Sequence, residues 1–106
     1  MRVIAVKALR EFWANYPDAE TALRHWFKAT EAATWKNFSD LRRTFSSADV
    51  YENLTIFNIG GNKYRLIAAI HYNTQRVYVR YILTHGQYDT GGWKSNQGLK
   101  RVKAER

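Results

Sequence analysis

The sequence has no cysteine, a single proline, and no apolar run that approaches the roughly 20 residues needed to span a membrane. The missing cysteine excludes disulfides and thiolate metal sites. Charge interrupts the first seven residues too early for a signal peptide. The chain has 106 residues, of which 45% are hydrophobic. This composition predicts one folded cytoplasmic domain with no membrane segment.

Carboxylates are scarce in the second half of the chain. Residues 1–53 carry eight Lys/Arg against seven Asp/Glu, whereas residues 54–106 carry nine against two. No carboxylate occurs between residues 54 and 88. A surface of one charge sign attracts polyanions, and nucleic acid is the usual partner of a basic surface. The alternative is a basic surface that only keeps the protein soluble.

Hydrophobic periodicity divides the chain into a helical first half and a strand-rich second half. A short strand over Arg2–Val6 precedes two helices separated by Pro17, and Asp18 is the expected N-cap of the second helix. Ser39 is expected to cap a third helical turn, and residues 46–53 are expected to form a loop. Three strands then follow, with turns at 60–62 and 73–75 between them. Their predicted ranges are Leu54–Ile59, Tyr64–Tyr72 and Arg76–Thr84.

The predicted fold class is α+β, with the N-terminal strand and a helical hairpin packed on an antiparallel β-meander. Gly86, Gly91 and Gly92 are expected to break regular structure after the last strand. The domain is predicted to cover residues 1–93. Residues 94–106 form a basic C-terminal tail that either frays or becomes ordered on a partner.

Strand pleating predicts which side chains share a face of the sheet. Alternate residues of a strand point to opposite faces, so the apolar residues of the last two strands should pack beneath the helices. This places Arg65 and Arg80 on the open face, with no carboxylate nearby in the sequence. An arginine without such a partner is best explained by an external anion, and the alternative is a carboxylate from the first half of the chain. In the last strand, the apolar side chains expected to pack beneath the helices are those of Val77, Val79, Tyr81 and Leu83.

A histidine and a tyrosine follow the last strand in the stretch YILTHGQYD, residues 81–89. RNA cleavage without a metal needs a base for the 2′-OH proton, an acid for the leaving 5′-oxygen, and cations for the charged phosphorane. His85 and Tyr88 are candidates for the proton transfers, and nearby basic residues supply cations. The alternative is a polar turn after a strand. No metal ligand pattern is expected, because His25 and His71 are scattered along the sequence relative to His85.

The run FNIGGNKYRLIAAIHYNTQRVYVRYILTHGQYD resembles the HigB branch of the RelE-like toxins of bacterial type II toxin–antitoxin systems. The resemblance lies in a strand entering Gly-Gly-Asn, then Tyr-Arg-Leu, then a last strand entering Thr-His-x-x-Tyr-Asp. The N-terminal stretch VKALREFWANYPDAETALRHW is similar to the helical hairpin of that branch. The similarity covers roughly residues 1–93. It implies a RelE-like fold and an mRNA interferase that needs no cofactor.

The resemblance also implies partners and site residues. The expected partners are mRNA, the ribosomal A site, and a HigA-like helix-turn-helix antitoxin. Arg65 matches the arginine that contacts the scissile phosphate, Tyr88 matches the tyrosine used in proton transfer or stacking, and His85 matches the branch's histidine. Many relatives carry a Lys/Arg cluster just before this tyrosine, whereas this chain has Gly86 and Gln87. The assignment of acid and base therefore stays open.

Four further residues are predicted to contact RNA. Lys63 and Arg80 are expected to contact phosphates, with solvated surface charge as the alternative. Lys94 belongs to the basic tail. Trp93 is expected either to stack on a base or to bury the C-terminal segment.

Two other functions fit the same residues: a ribonuclease that acts on free RNA, and a basic RNA- or ribosome-binding module without enzymatic activity.

Overall fold

The computed structural model describes residues 1–95, so most of the predicted basic tail lies outside the described residues. The described chain begins with a strand and two helices, continues through a third helix into four strands, and ends in two short helices. The elements are β1 (Arg2–Ile4), α1 (Val6–Asn15), α2 (Glu20–Ala32), α3 (Phe38–Thr44), β2 (Asp49–Tyr51), β3 (Leu54–Ile59), β4 (Tyr64–His71), β5 (Arg76–Thr84), α4 (His85–Asp89) and α5 (Gly92–Ser95).

The five strands form one mixed sheet in the order β1-β5-β4-β3-β2. Strands β2 to β5 pair antiparallel, which confirms the predicted meander, and β1 pairs parallel with β5 at the edge. Gly60 and Gly61 have φ values of 62° and 67°, which suits the tight turn between β3 and β4. The fold class is therefore α+β, as predicted. No helix among residues 1–95 is long and apolar enough to cross a membrane.

Strand β2 lies in the segment that was expected to be a loop, so that expectation was wrong. The strand has only three residues and forms one edge of the sheet, where it pairs with β3. Its Val50 is 47% exposed. A strand this short and this exposed has no alternating hydrophobic pattern, and only its pairing with β3 identifies it.

The helices lie close to their predicted positions, whereas the two predicted N-cap residues, Asp18 and Ser39, do not cap them. Helix α1 ends at Asn15 because the residue before Pro17 is disfavoured in the helical region. Asp18 does not cap α2; its carboxylate accepts a hydrogen bond from the Tyr64 hydroxyl. Helix α3 is capped by Asn37, not by Ser39, since the Asn37 side chain accepts from the Asp40 backbone N–H at 2.9 Å.

The main core lies between the helices and one face of the sheet. Trp26 of α2 is 1% exposed and packs edge-to-face on Phe57 of β3, with ring centroids 5.4 Å apart. Aromatic pairs in this geometry contribute more than their buried area alone. The other fully buried side chains of this core include Leu9, Leu23, Leu41, Leu66 and Val77.

The opposite face of the sheet carries a second, smaller cluster, which the uniform pleating pattern did not predict. The register of β4 and β5 shifts so that Ala68 faces Val79 and Ile67 faces Tyr81, leaving Arg80 without a partner on β4. Such a bulge reverses the alternation of side chains beyond it. Val77 and Val79 pack in the main core, whereas the second cluster contains Ile56, Ile67, Tyr81, Leu83 and Trp93.

Candidate active site

Arg65 lies on β4, opposite Leu83 of β5, on the same side of the sheet as the second cluster. The residue is only 8% exposed. Its Nη2 donates to Asn62 Oδ1 at 2.8 Å, and its Nη1 donates to the carbonyl oxygens of Asn62 and Tyr64 at 3.0 and 3.2 Å. These acceptors are all neutral, and within residues 1–95 no carboxylate pairs with this guanidinium. A buried cation held only by neutral groups retains its attraction for an anion.

Tyr88 is positioned by helix α4, which the sequence pattern had not predicted. Thr84 caps this helix: its Oγ1 accepts from the Gln87 N–H at 3.2 Å, while Gln87 Oε1 accepts from the Thr84 N–H at 3.0 Å. This capping box explains why a helix starts here despite Gly86. The half-buried Tyr88 ring lies 5.1 Å from the Arg65 guanidinium carbon, measured to the ring centroid. The predicted pair of Arg65 and Tyr88 is thus in contact.

His85 is the first residue of α4, directly after the strand residue that pairs with Tyr64. Its backbone N–H donates to the Lys63 carbonyl at 2.9 Å, which holds the helix start beside β4. Its Nε2 lies 3.0 Å from Asp89 Oδ2, one helical turn away, and both side chains are at least half exposed. The imidazole is therefore accessible to a substrate and oriented by a carboxylate.

Lys63 contacts a carboxylate from the helical half of the chain. Its Nζ lies 3.3 Å from Asp18 Oδ2, and the Tyr64 hydroxyl donates to Asp18 Oδ1 at 2.5 Å. The Tyr64 hydrogen bond lowers the pKa of the Asp18 carboxyl, and the same bond raises the pKa of Tyr64 to about 12. Because an exposed ion pair of this kind is weak, Lys63 can exchange Asp18 for a phosphate at little cost.

Trp93 and Lys94 lie on α5, against the second cluster. The Trp93 indole is 3% exposed, stacks on Tyr88 at 5.5 Å and 11°, and donates from Nε1 to the Tyr88 carbonyl at 3.2 Å. It also packs edge-to-face on Tyr51, 5.3 Å away. The Lys94 ammonium lies 4.7 Å from the Tyr51 ring centroid. Of the two explanations for Trp93, the structure favours burial of the C-terminal segment, since base stacking would require α5 to move.

Arg80 and the other histidines lie away from the contact between Arg65 and Tyr88. Arg80 is half-buried at the bulge of β5, three residues before Leu83, which corresponds to roughly 10 Å along the strand. His25 is exposed on α2, and the His71 ring packs edge-to-face on Tyr78. Among residues 1–95, no group of three His, Asp or Glu side chains is placed to hold a metal ion.

Two residues of the site were missed by the sequence analysis. Asn62, treated only as a turn residue, supplies two of the three acceptors that hold Arg65. Its position three residues before the arginine, in a turn, was an available signal. Tyr51 contacts both Trp93 and Lys94 from the edge strand β2. No local signal identifies Tyr51, because the contact joins residues about 40 positions apart in the sequence.

The geometry therefore places the buried Arg65 guanidinium in contact with the Tyr88 ring, and the exposed His85 imidazole lies at the start of the same short helix as Tyr88. Such a site can hold a phosphate and move protons beside it. A family model described as HigB_toxin, the RelE-like toxic component of a toxin–antitoxin system, matches residues 19–91. The chain belongs to this HigB toxin family, which confirms the resemblance found in the sequence.

Curated relatives agree with the family assignment. The chain is 32% identical over 92 residues to the mRNA interferase toxin HigB of Escherichia coli (strain K12), covering 84% of this chain and 88% of the relative. The same identity and coverage are found with mRNA interferase HigB of Shigella flexneri. A third relative, mRNA interferase HigB of Escherichia coli O6:H1, is 25% identical, with 84% and 89% of the two chains covered.

Proposed function

We propose that this chain is an endoribonuclease that cleaves mRNA and thereby inhibits translation, as the toxin of a toxin–antitoxin pair. In the proposed reaction, the 2′-OH of one nucleotide attacks the adjacent phosphate and the 5′-oxygen leaves. Arg65 holds that phosphate and stabilises the extra negative charge of the transition state. His85 and Tyr88 carry the two proton transfers. Which of them is the general base and which is the general acid stays open.

Four further residues take supporting roles in this proposal. Lys63, which precedes β4, and Arg80, on the neighbouring strand β5, contact further phosphates of the RNA, and Lys94 does so from α5, because each is a cation. Trp93 supports the ring of Tyr88 in the described conformation. The proposed domain extends over residues 1–93, since Trp93 packs against the second cluster and belongs to the fold.

The proposed setting is the cytoplasm, where the toxin acts on mRNA in the ribosomal A site. Its proposed partner is a HigA-like helix-turn-helix antitoxin. The net charge of +8 supports both parts of this proposal, because a basic protein is attracted to ribosomal RNA and to an acidic antitoxin.

The observation that carries the proposal is the buried Arg65 guanidinium, which has no carboxylate partner among residues 1–95 and contacts Tyr88. The test is primer extension on an mRNA, with and without ribosomes, using wild type and Arg65→Ala. Arg76→Ala is the matched control, because it removes an exposed arginine from the far end of β5.

We expect wild type and Arg76→Ala to produce the same cleavage products. Arg65→Ala should cleave at least about 100-fold more slowly, which is the loss expected when one electrostatic contact to the reacting group is removed. Cleavage only with ribosomes supports action in the A site, and equal cleavage of naked RNA identifies a free-RNA ribonuclease. Unchanged cleavage by a folded Arg65→Ala variant contradicts the proposed site. Binding of RNA without cleavage by wild type identifies a non-enzymatic module.

A further inference from the structure

An arginine side chain carries five N–H groups, and at Arg65 three of them are already used. Both hydrogens of Nη1 are engaged, because Nη1 donates to the carbonyl oxygens of Asn62 and Tyr64. One hydrogen of Nη2 is engaged by Asn62 Oδ1 at 2.8 Å. Asn62 therefore accepts from both Nη atoms, once through its backbone and once through its side chain. The Nε–H and the second Nη2–H remain.

These two remaining N–H groups lie side by side on one edge of the guanidinium, because Asn62 occupies its end. Neither has an acceptor among residues 1–95. The buried side-chain atoms of this range that lack a hydrogen-bond partner belong to Trp26, Thr30 and Gln75, and none belongs to Arg65. The unpaired Nε of Arg65 therefore reaches solvent. Two parallel N–H groups of this kind match two oxygens of a phosphate.

Asn62 lies in the turn that precedes β4, where it is exposed and its φ is outside the left-handed region. Its side chain makes one hydrogen bond within residues 1–95, the one that it accepts from Arg65. A carboxylate at this place would hold the guanidinium equally well but would compensate its charge. The neutral amide oxygen orients the guanidinium and leaves its charge available to an anion.

We propose that Asn62 is a positioning residue, which fixes Arg65 so that the Nε–H and the free Nη2–H together hold the phosphate that is cleaved. The inference rests on the function proposed above, in which Arg65 binds that phosphate. It adds which edge of the guanidinium binds and which residue presents that edge. Without Asn62 Oδ1 the guanidinium rotates more freely, and a misplaced group of this kind slows the reaction more than it weakens binding.

The first measurement is NMR of the Arg65 guanidinium in the whole protein, with isotope-labelled arginine. The restrained guanidinium of wild type should give separate signals for its Nη hydrogens, and in Asn62→Ala these signals should average. Asn73→Ala is the matched control, because it makes the same substitution at an exposed asparagine in the turn at the other end of β4. Separate signals in Asn62→Ala, or averaged signals in wild type, overturn the proposal.

The second measurement is single-turnover cleavage of a defined mRNA. Asn62→Ala should lower the rate at saturating toxin by roughly 10- to 100-fold, whereas the toxin concentration for half-maximal rate stays within about threefold, since no charge is removed. Asn73→Ala should cleave as wild type does. Folded Arg65→Lys should cleave at least about tenfold more slowly, because an ammonium group lacks the two parallel donors.

A double variant tests whether Asn62 acts through Arg65. Adding Asn62→Ala to Arg65→Ala should cause no further loss of rate, because the group that Asn62 orients is already absent. An equal loss with and without Arg65 shows that Asn62 contacts RNA directly and overturns the proposal, as does wild-type cleavage by Asn62→Ala or Arg65→Lys. Wild-type cleavage by folded Arg65→Ala instead contradicts the proposed function, and the NMR signals then still decide whether Asn62 orients Arg65.

Discussion

Replacing Tyr88 by phenylalanine separates the two roles that its side chain can have. The substitution deletes one hydroxyl and keeps the ring that contacts Arg65 and stacks on Trp93. Among residues 1–95 the Tyr88 hydroxyl makes no hydrogen bond, and the polar group that Tyr88 uses is its backbone carbonyl. Folding should therefore be nearly unaffected, with the free energy of unfolding changed by less than about 0.5 kcal/mol.

The expected effect on catalysis is much larger than the effect on stability. Losing a general acid or base reduces a rate by about 10²–10⁴-fold, which corresponds to roughly 2.7–5.4 kcal/mol of activation free energy. Tyr88→Ala removes the ring as well. It loses a stacked aromatic pair worth about 0.5–1.5 kcal/mol and a cation–π contact worth about 0.5–1 kcal/mol, so this variant should also be less stable.

Single-turnover cleavage of a defined mRNA measures the rate, and urea unfolding of the same preparations measures the stability. Tyr88→Phe should unfold like wild type and cleave at least 100-fold more slowly if the hydroxyl transfers a proton. If Tyr88→Phe cleaves at the wild-type rate while folded Tyr88→Ala is inactive, Tyr88 acts by stacking alone. If both variants are fully active, residues 81–89 are only a strand end and the reacting site lies elsewhere.

Two further predictions concern stability. Trp26→Ala should lower the free energy of unfolding by roughly 3–5 kcal/mol. Trp26→Phe should lower it by less, because the smaller ring can keep its contact with Phe57. A Trp26→Ala variant that folds normally but is inactive would mean that α2 belongs to the reactive site. Tyr64→Phe removes the hydrogen bond to Asp18. The stability difference between wild type and this variant should be constant near neutral pH. It should shrink as pH falls through the lowered pKa of Asp18, and again as pH rises from 10 towards 12, where Tyr64 ionises. A difference independent of pH in denaturant titrations would refute this coupling.

Elements defined by neighbouring residues could be predicted from the sequence. The alternating apolar residues of β3, β4 and β5 and the glycine turn at 60–62 identified the meander, with boundaries within one residue. The helical spacing before and after Pro17 identified α1 and α2 to within a few residues. These features depend on local backbone preferences and on which face of a single element is apolar, and both can be derived from adjacent residues.

The arrangement around Arg65 depends on contacts between distant residues. The bulge at Arg80 turns Tyr81 and Leu83 to the second face, and this reversal cannot be derived from the alternation within β5 alone. The Trp93 indole then covers that face, so a surface expected to be open is partly buried. Asp18 likewise bonds to Tyr64, 46 residues away, and does not cap its own helix.

The sequence by itself determined the fold class, the basic second half, and the residue types placed at the end of the last strand. Tertiary structure decided that Arg65 is buried, that it contacts the ring of Tyr88, and that Lys63 already has a carboxylate partner. The physical reason is that a side chain selects among partners from the whole chain. Periodicity specifies only the face from which a side chain projects, whereas the register of the strands and the packing of α4 and α5 specify what it meets there.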